Sequence, residues 1–196
     1  MKDRKLYKAV ILFMNLLIGL NISAQRRENA IKIGLIEPFL LTMGVSYERF
    51  FPDAEFSLQL NGSITKQKTT IWETLSADLF GYSAEIQGRY YFALLKNQSI
   101  PAGIYAGVYA DYSQYQISIN IPEGKVNLLD GNSKVLGFLF GYQRRFLSNF
   151  LLDGTIGGGY HLADYSGRFS EKGRIIPSIV SNGFLPKIDL KLGFAF

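Results

Sequence analysis

The sequence predicts an all-β protein: an eight-stranded antiparallel up-and-down barrel that spans a membrane, preceded by a cleaved helical signal peptide. Three observations carry this expectation. Apolar residues recur at every second position through eight segments, the connections alternate between short and long, and no apolar run beyond the N-terminus could span a bilayer as a helix. The 196 residues suffice for one domain with a sizeable core. The absence of cysteine excludes a disulfide scaffold and a thiolate metal site.

Residues 1–25 read as the signal peptide and residues 26–196 as the barrel domain. Lys2, Arg4, Lys5 and Lys8 form a basic start, an apolar run of 12 residues follows from Ala9 to Leu20, and small Ser23 and Ala24 precede the expected cleavage after Ala24 or Gln25. A spanning helix needs about 20 apolar residues, so this run is an address and not an anchor. The formal charge of +5 is mostly this segment: it holds four of the 21 basic residues and one of the 16 acidic ones, so cleavage leaves +2. No case for nucleic acid survives that correction.

The strands follow in order. Ile31, Ile33 and Leu35 alternate with Lys32 and Gly34; Leu41, Met43, Val45 and Tyr47 alternate with Thr42, Gly44, Ser46 and Glu48. Phe56, Leu58 and Leu60 oppose Ser57, Gln59 and Asn61, and Tyr82, Ala84, Ile86 and Tyr90 oppose Ser83, Glu85, Gln87 and Arg89. In the fifth segment Ile104, Ala106, Val108 and Ala110 stand against Gly103, Tyr105, Gly107, Tyr109 and Asp111. Its apolar phase switches between Tyr112 and Tyr115, where a bulge or a change of surroundings is expected. Leu136, Phe138, Phe140 and Tyr142 oppose Gly137, Gly141 and Gln143; Phe150, Leu152, Ile156 and Tyr160 oppose Asp153, Thr155 and His161. The last segment sets Ile188, Leu190, Leu192, Phe194 and Phe196 against Asp189, Lys191, Gly193 and Ala195. Short connections are expected at residues 51–53, 93–100 and 147–149, and long polar loops at 67–78, 119–133 and 166–184, with a brief first turn at 37–40.

The apolar phase is assigned to lipid. A soluble barrel would turn a Lys- and Glu-rich face to water, whereas the polar phase here is Gly, Ser, Thr, Gln and Tyr. Aromatic residues gather near strand ends: Tyr47, Phe50, Phe51, Phe56, Tyr90, Phe92, Phe146, Phe150, Phe194 and Phe196 at the short-turn end, and Phe80, Tyr82, Tyr112 and Tyr160 at the other. Two such belts suit two membrane–water interfaces.

The final segment, Ile188, Leu190, Leu192, Phe194 and Phe196 in alternation with a terminal Phe, resembles the terminal strand signal of Gram-negative outer-membrane barrels. The chain from about Ala30 onward resembles small eight-stranded barrels of the OmpA/OmpX type. The resemblance implies residence in the cell outer membrane, engagement of the barrel-assembly machinery during biogenesis, contact with outer-membrane lipid and lipopolysaccharide, and a monomer. The brief first hairpin departs from a layout with a long first loop.

With the polar phase inward, the lumen receives Lys32, Glu48, Glu85, Arg89, Asp111, Arg145, Asp153, Asp189 and Lys191. Sealed charges must pair. Antiparallel numbering pairs Lys32 with Glu48 and Arg145 with Asp153, while Glu85, Arg89, Asp189 and Lys191 extend the network. An eight-stranded lumen is just wide enough for side chains, so a plug is expected and not a gated conduit. Gly154, Gly157, Gly158 and Gly159, read as lumen-facing, lack the lysine and spacing of a phosphate loop; Tyr91, Tyr105 and Tyr109 are expected to pack over such gaps. The single histidine, His161, has no nucleophile or acid suitably placed in sequence, so neither a catalytic site nor a metal or other cofactor is expected.

The function expected is non-enzymatic: a structural or surface-interacting barrel, with Trp72, Arg168, Phe169, Lys172 and Arg174 as candidate surface residues in the long loops. The alternatives are transport or binding of a small apolar molecule through the barrel, a lipid-modifying outer-membrane enzyme, and a soluble periplasmic binder.

Overall fold

The computed structural model describes residues 28–36, 42–51, 55–72, 75–94, 102–121, 124–146, 149–168 and 175–196. The signal segment, the first turn, and Phe169, Lys172 and Arg174 lie outside them. Eight strands form one closed barrel in chain order: β1 (Asn29–Gly34), β2 (Thr42–Phe51), β3 (Phe56–Trp72), β4 (Leu75–Leu94), β5 (Gly103–Ile121), β6 (Gly124–Phe146), β7 (Phe150–Arg168) and β8 (Ile175–Ala195). Every neighbouring pair is antiparallel, and β1 closes the ring on β8 through Ala30 opposite Ala195 and Gly34 opposite Lys191.

Burial is inverted relative to a soluble protein. Leu136, Phe138 and Ile188 are 69, 70 and 74% exposed, whereas Lys32, Glu48 and Arg89 are 0% exposed. That is the signature of a wall with lipid outside and polar groups within. On β4 the outward face runs from Tyr90 and Phe92 up to Phe80 and Tyr82. About ten residues at ~3.4 Å each, tilted by about 40°, give an apolar band of ~25 Å, the height of a barrel's hydrocarbon zone.

Two expectations are corrected and one alternative is decided. The polar connections at 67–78, 119–133 and 166–184 are mostly strand: β3 reaches Trp72 before β4 starts at Leu75, and β5 reaches Ile121 before β6 starts at Gly124. Above the lipid band neither face needs apolar side chains, so period two fades while the ladder continues. Lys66, Gln67, Lys68, Thr69 and Thr70 are consecutive, exposed and all strand. Trp72 and Arg168 are the end residues of β3 and β7.

Second, no bulge lies between Tyr112 and Tyr115; the registers on both sides of β5 run unbroken there, and the next irregularity beyond them is at Ile117 and Ser118. Tyr115 stays in the inward phase, 5.8 Å from the ring of Tyr165. The surroundings change, not the backbone: the upper lumen takes aromatic residues. Third, Phe50 does not join the lower belt. It points inward, fully buried, with its ring 6.4 Å from that of Tyr91.

The ring is not equally tall all round. β1 ends at Gly34 and β2 begins at Thr42, opposite Thr65 of β3. Above that level, among the described residues, β3 to β8 continue as a six-stranded sheet.

Candidate functional site: the lumen charge network

Phe50, Tyr91, Leu151, Ala30 and Ala195 make a fully buried apolar floor at the short-turn end. Directly above it sit two cations and two carboxylates from four different strands: Lys32 (β1), Glu48 (β2), Arg89 (β4) and Asp153 (β7). Lys32 Nζ donates to Asp153 Oδ2 and to Gln143 Oε1, each at 2.6 Å, and forms an ion pair with Glu48 Oε2 at 2.6 Å. Arg89 donates from Nη1 to Asp153 Oδ2 at 2.7 Å and from Nε to Gln87 Oε1 at 2.8 Å, and its Nη1 reaches Glu48 Oε1 at 3.5 Å. Its guanidinium carbon stands 4.6 Å over the ring of Tyr105.

The carboxylates are completed by hydroxyls. Ser57 Oγ and Tyr91 OH donate to Glu48 Oε1 at 2.5 and 3.2 Å, and Tyr105 OH donates to Asp153 Oδ1 at 2.6 Å. The cluster is therefore neutral in sum and densely bonded, the condition under which buried charge is tolerated.

A second, wetter storey lies above. Lys187 Nζ pairs with Glu85 Oε2 at 2.6 Å and stands 4.9 Å over the ring of Tyr109; Lys191 pairs with Asp189 at 2.8 Å. Asn61 Nδ2 donates to Glu85 Oε1 at 2.5 Å, and Lys191 Nζ donates to Asn61 Oδ1 at 3.1 Å. Gln87 joins the storeys: its Nε2 donates to Glu85 Oε1 at 2.6 Å while its Oε1 accepts from Arg89.

Of the two ion pairs expected from numbering, Lys32 with Glu48 is present. Arg145 with Asp153 is not the pairing: Gln143 stands opposite Asp153 and Arg145 opposite Leu151, so Lys32 and Arg89 hold Asp153 instead. Glu85, Asp189 and Lys191 belong to the upper storey. Sequence reasoning missed Lys187, which lies one residue before the last alternating segment, and the amides Gln59, Gln87 and Gln143, which inward phase alone could have flagged.

Tyrosines do pack over glycines, but over Gly141 and Gly137 of β6 and not over the β7 glycines expected: Gly157 meets Leu139 and Gly159 meets Val135. A Cβ on Gly141 would collide with the hydroxyl end of Tyr105, and one on Gly137 would come within 2.6 Å of Tyr109 Cε1. Gly154 and Gly158 face outward, correcting their lumen assignment: period two separates them from Gly157 and Gly159, and the ring of Phe184 lies over Gly158. His161 is half-buried in the lumen, opposite Val135 and Gly183. Among the described residues no three His, Asp or Glu side chains are grouped to hold a metal ion.

A family profile described as a protein of unknown function, DUF3575, matches residues 10–182. The chain belongs to the DUF3575 family. No curated protein matches it. Its fold is similar to that of the attachment invasion locus protein Ail of Yersinia pestis, with a TM-score of 0.50 and 10% identity over 88% of this chain and 100% of that one. The N-terminal β-barrel domain of Pseudomonas aeruginosa OprF gives 0.44 and 15% over 88% and 100%, and Acinetobacter baumannii CarO gives 0.46 and 11% over 87% and 98%. At such identity the likeness to Ail is one of fold: this DUF3575 chain is an eight-stranded barrel of the small outer-membrane type.

Proposed function

We propose that this chain is a non-enzymatic barrel of the outer membrane, closed by its own side chains and working through the strands that rise above the lipid band. One observation carries the reading: Lys32, Glu48, Arg89 and Asp153 meet in the lumen, all but sealed from solvent, over a floor that is itself fully buried. A bore filled in this way passes no current, and the exposed surface is concentrated at the β3–β8 end. The signal peptide of residues 1–25 delivers the chain to the periplasm, lipid and lipopolysaccharide surround it, and it works as a monomer. In planar bilayers the refolded barrel is expected to be silent; steady single-channel conductance overturns the plug. Fractionation with heat-modifiable gel migration is expected to place it in the outer membrane, and recovery in the soluble periplasmic fraction overturns the location.

A second reading, capture of a small apolar molecule through the side of the barrel, is favoured by the β8 edge. Leu35 donates from its backbone N–H to Leu190 O at 2.8 Å, and above that point β8 has no partner on its β1 side among the described residues. Even-numbered β8 residues turn their backbone groups to that side, and one of them is Pro186, which carries no N–H. Open edges in hydrocarbon are costly, so Pro186 lowers the cost of leaving a window there. Gly183, inward on β8, borders open space: a Cβ at this position would meet nothing within 4 Å. Gly183→Trp is expected to abolish uptake of an apolar fluorescent probe; unchanged uptake removes this reading.

A further inference from the structure

The outer wall changes chemistry abruptly above the upper belt of β4 to β7. Ala84, Tyr112, Lys134 and Leu162 form one register row, facing outward near the top of the lipid band. Two residues higher, Tyr82, Gln114, Asn132 and Asp164 form the next outward row, followed by Phe80, Gln116 and Asp130. These two rows line a groove of about 410 Å³ whose floor is the backbone around Tyr115 and Gly131. The polar groups are partly pre-set: Gln114 Nε2 donates to Tyr112 OH at 2.6 Å, Tyr82 OH meets Gln114 Oε1, and Gln116 Nε2 donates to Asp130 Oδ1 at 2.8 Å.

We propose that this groove binds an uncharged hexose-type saccharide. A volume of this size holds one or two sugar rings. Amides offer a donor beside an acceptor and carboxylates accept from neighbouring hydroxyls, which matches the alternating needs of a polyol. Phe80 and Tyr82 supply flat faces for the C–H side of a ring. The lining has no aliphatic side chain for an acyl tail, and its own two charges, Asp130 and Asp164, are both negative; the cations Lys66 and Lys134 lie on flanking positions outside it. The groove also sits at the upper aromatic belt, where the lipid band gives way to the sugars carried on outer-leaflet glycolipid. The inference rests on the outer-membrane reading with the β3–β8 end outward.

The test uses the refolded full barrel in a detergent without a sugar headgroup and, as probe, a neutral oligosaccharide of two or three hexose units. Calorimetry is expected to show saturable binding, weakened at least tenfold by Asn132→Ala and by Asp164→Ala, with heat-modifiable migration unchanged in both. Absence of saturable binding, or wild-type affinity in the double variant, overturns the proposal. Vesicles bearing the intact glycolipid identify the source: competition with the free oligosaccharide points to the glycolipid of the same leaflet, and its absence to a soluble glycan, both with the same chemistry. Binding in detergent by a chain absent from the outer membrane breaks the location and not the groove. An outer-membrane barrel that binds no oligosaccharide breaks the groove alone.

Discussion

The short-turn half of the barrel and its projecting half use the same strands to opposite ends. Below, eight strands close a ring, inward side chains are cut off from water, and charges must find each other: Arg89 and Lys32 share Asp153 and Glu48. Above, β1 and β2 have stopped, the six remaining strands enclose nothing completely, and Lys66 to Thr70 are exposed at every position. Closure, not composition, decides what a polar inward residue does. Inside the ring it is structural; beyond it the same residue types are display.

The sharpest way to break this contrast is Asp153→Ala. It strands two buried cations, so a loss of about 3–5 kcal/mol is expected, read as a lowered urea midpoint of the refolded barrel. A loss below about 1 kcal/mol means water reaches the cluster and the lower half is not dry. Next is Gly141→Ala, which forces a methyl into Tyr105 and the backbone at Gly154; overpacking of this kind costs about 1–3 kcal/mol in the same measurement. Glu85→Ala, in the upper storey where Lys187 retains some exposure, is expected to cost about 1–2 kcal/mol. Gly183→Ala, with open space around the new methyl, and Lys68→Ala, on a projecting strand, are expected to stay within about 0.5 kcal/mol. A large effect at either would show the projecting half to be packed. Hydrogen exchange offers an independent reading: slow amides around Lys32 and Arg89, fast ones in β3 beyond Thr65.

Much of the fold is legible in the sequence because lipid outside and a narrow bore inside force strict alternation. Phase alone locates Lys32, Glu48, Arg89 and Asp153 in the lumen. Register is less legible. The β6–β7 hairpin is centred one residue earlier than the sequence suggests, and a one-residue move of the centre shifts every cross-strand partner by two. Gln143 thereby takes the place expected of Arg145. Strand length is hidden for a different reason: above the membrane both faces meet water, and polar residues on both faces look like loop. Lys187 escapes a reading by pattern for another reason: it directly follows Pro186 and precedes Ile188, where the clean alternation begins. Phe50 escapes it because an aromatic residue at a strand end suits the belt, although its even number on β2 puts it inward. The groove is invisible in sequence because its members come from four strands and align only once the register is known.

The four central charges arrive on the first, second, fourth and seventh strands. While the sheet is still open, Lys32 on β1 can meet Glu48 on the neighbouring strand but is far from Asp153 on β7. Joining β1 to β8 therefore does two things in a single event: it removes the last free strand edges of the lower wall, and it brings Lys32 to Asp153. Gly193 on β8 leaves room for this, since a Cβ there would come within 2.8 Å of Lys32 Cγ as that side chain crosses toward β7. The full set of contacts around Asp153 is therefore complete only when the first and last strands have met in register.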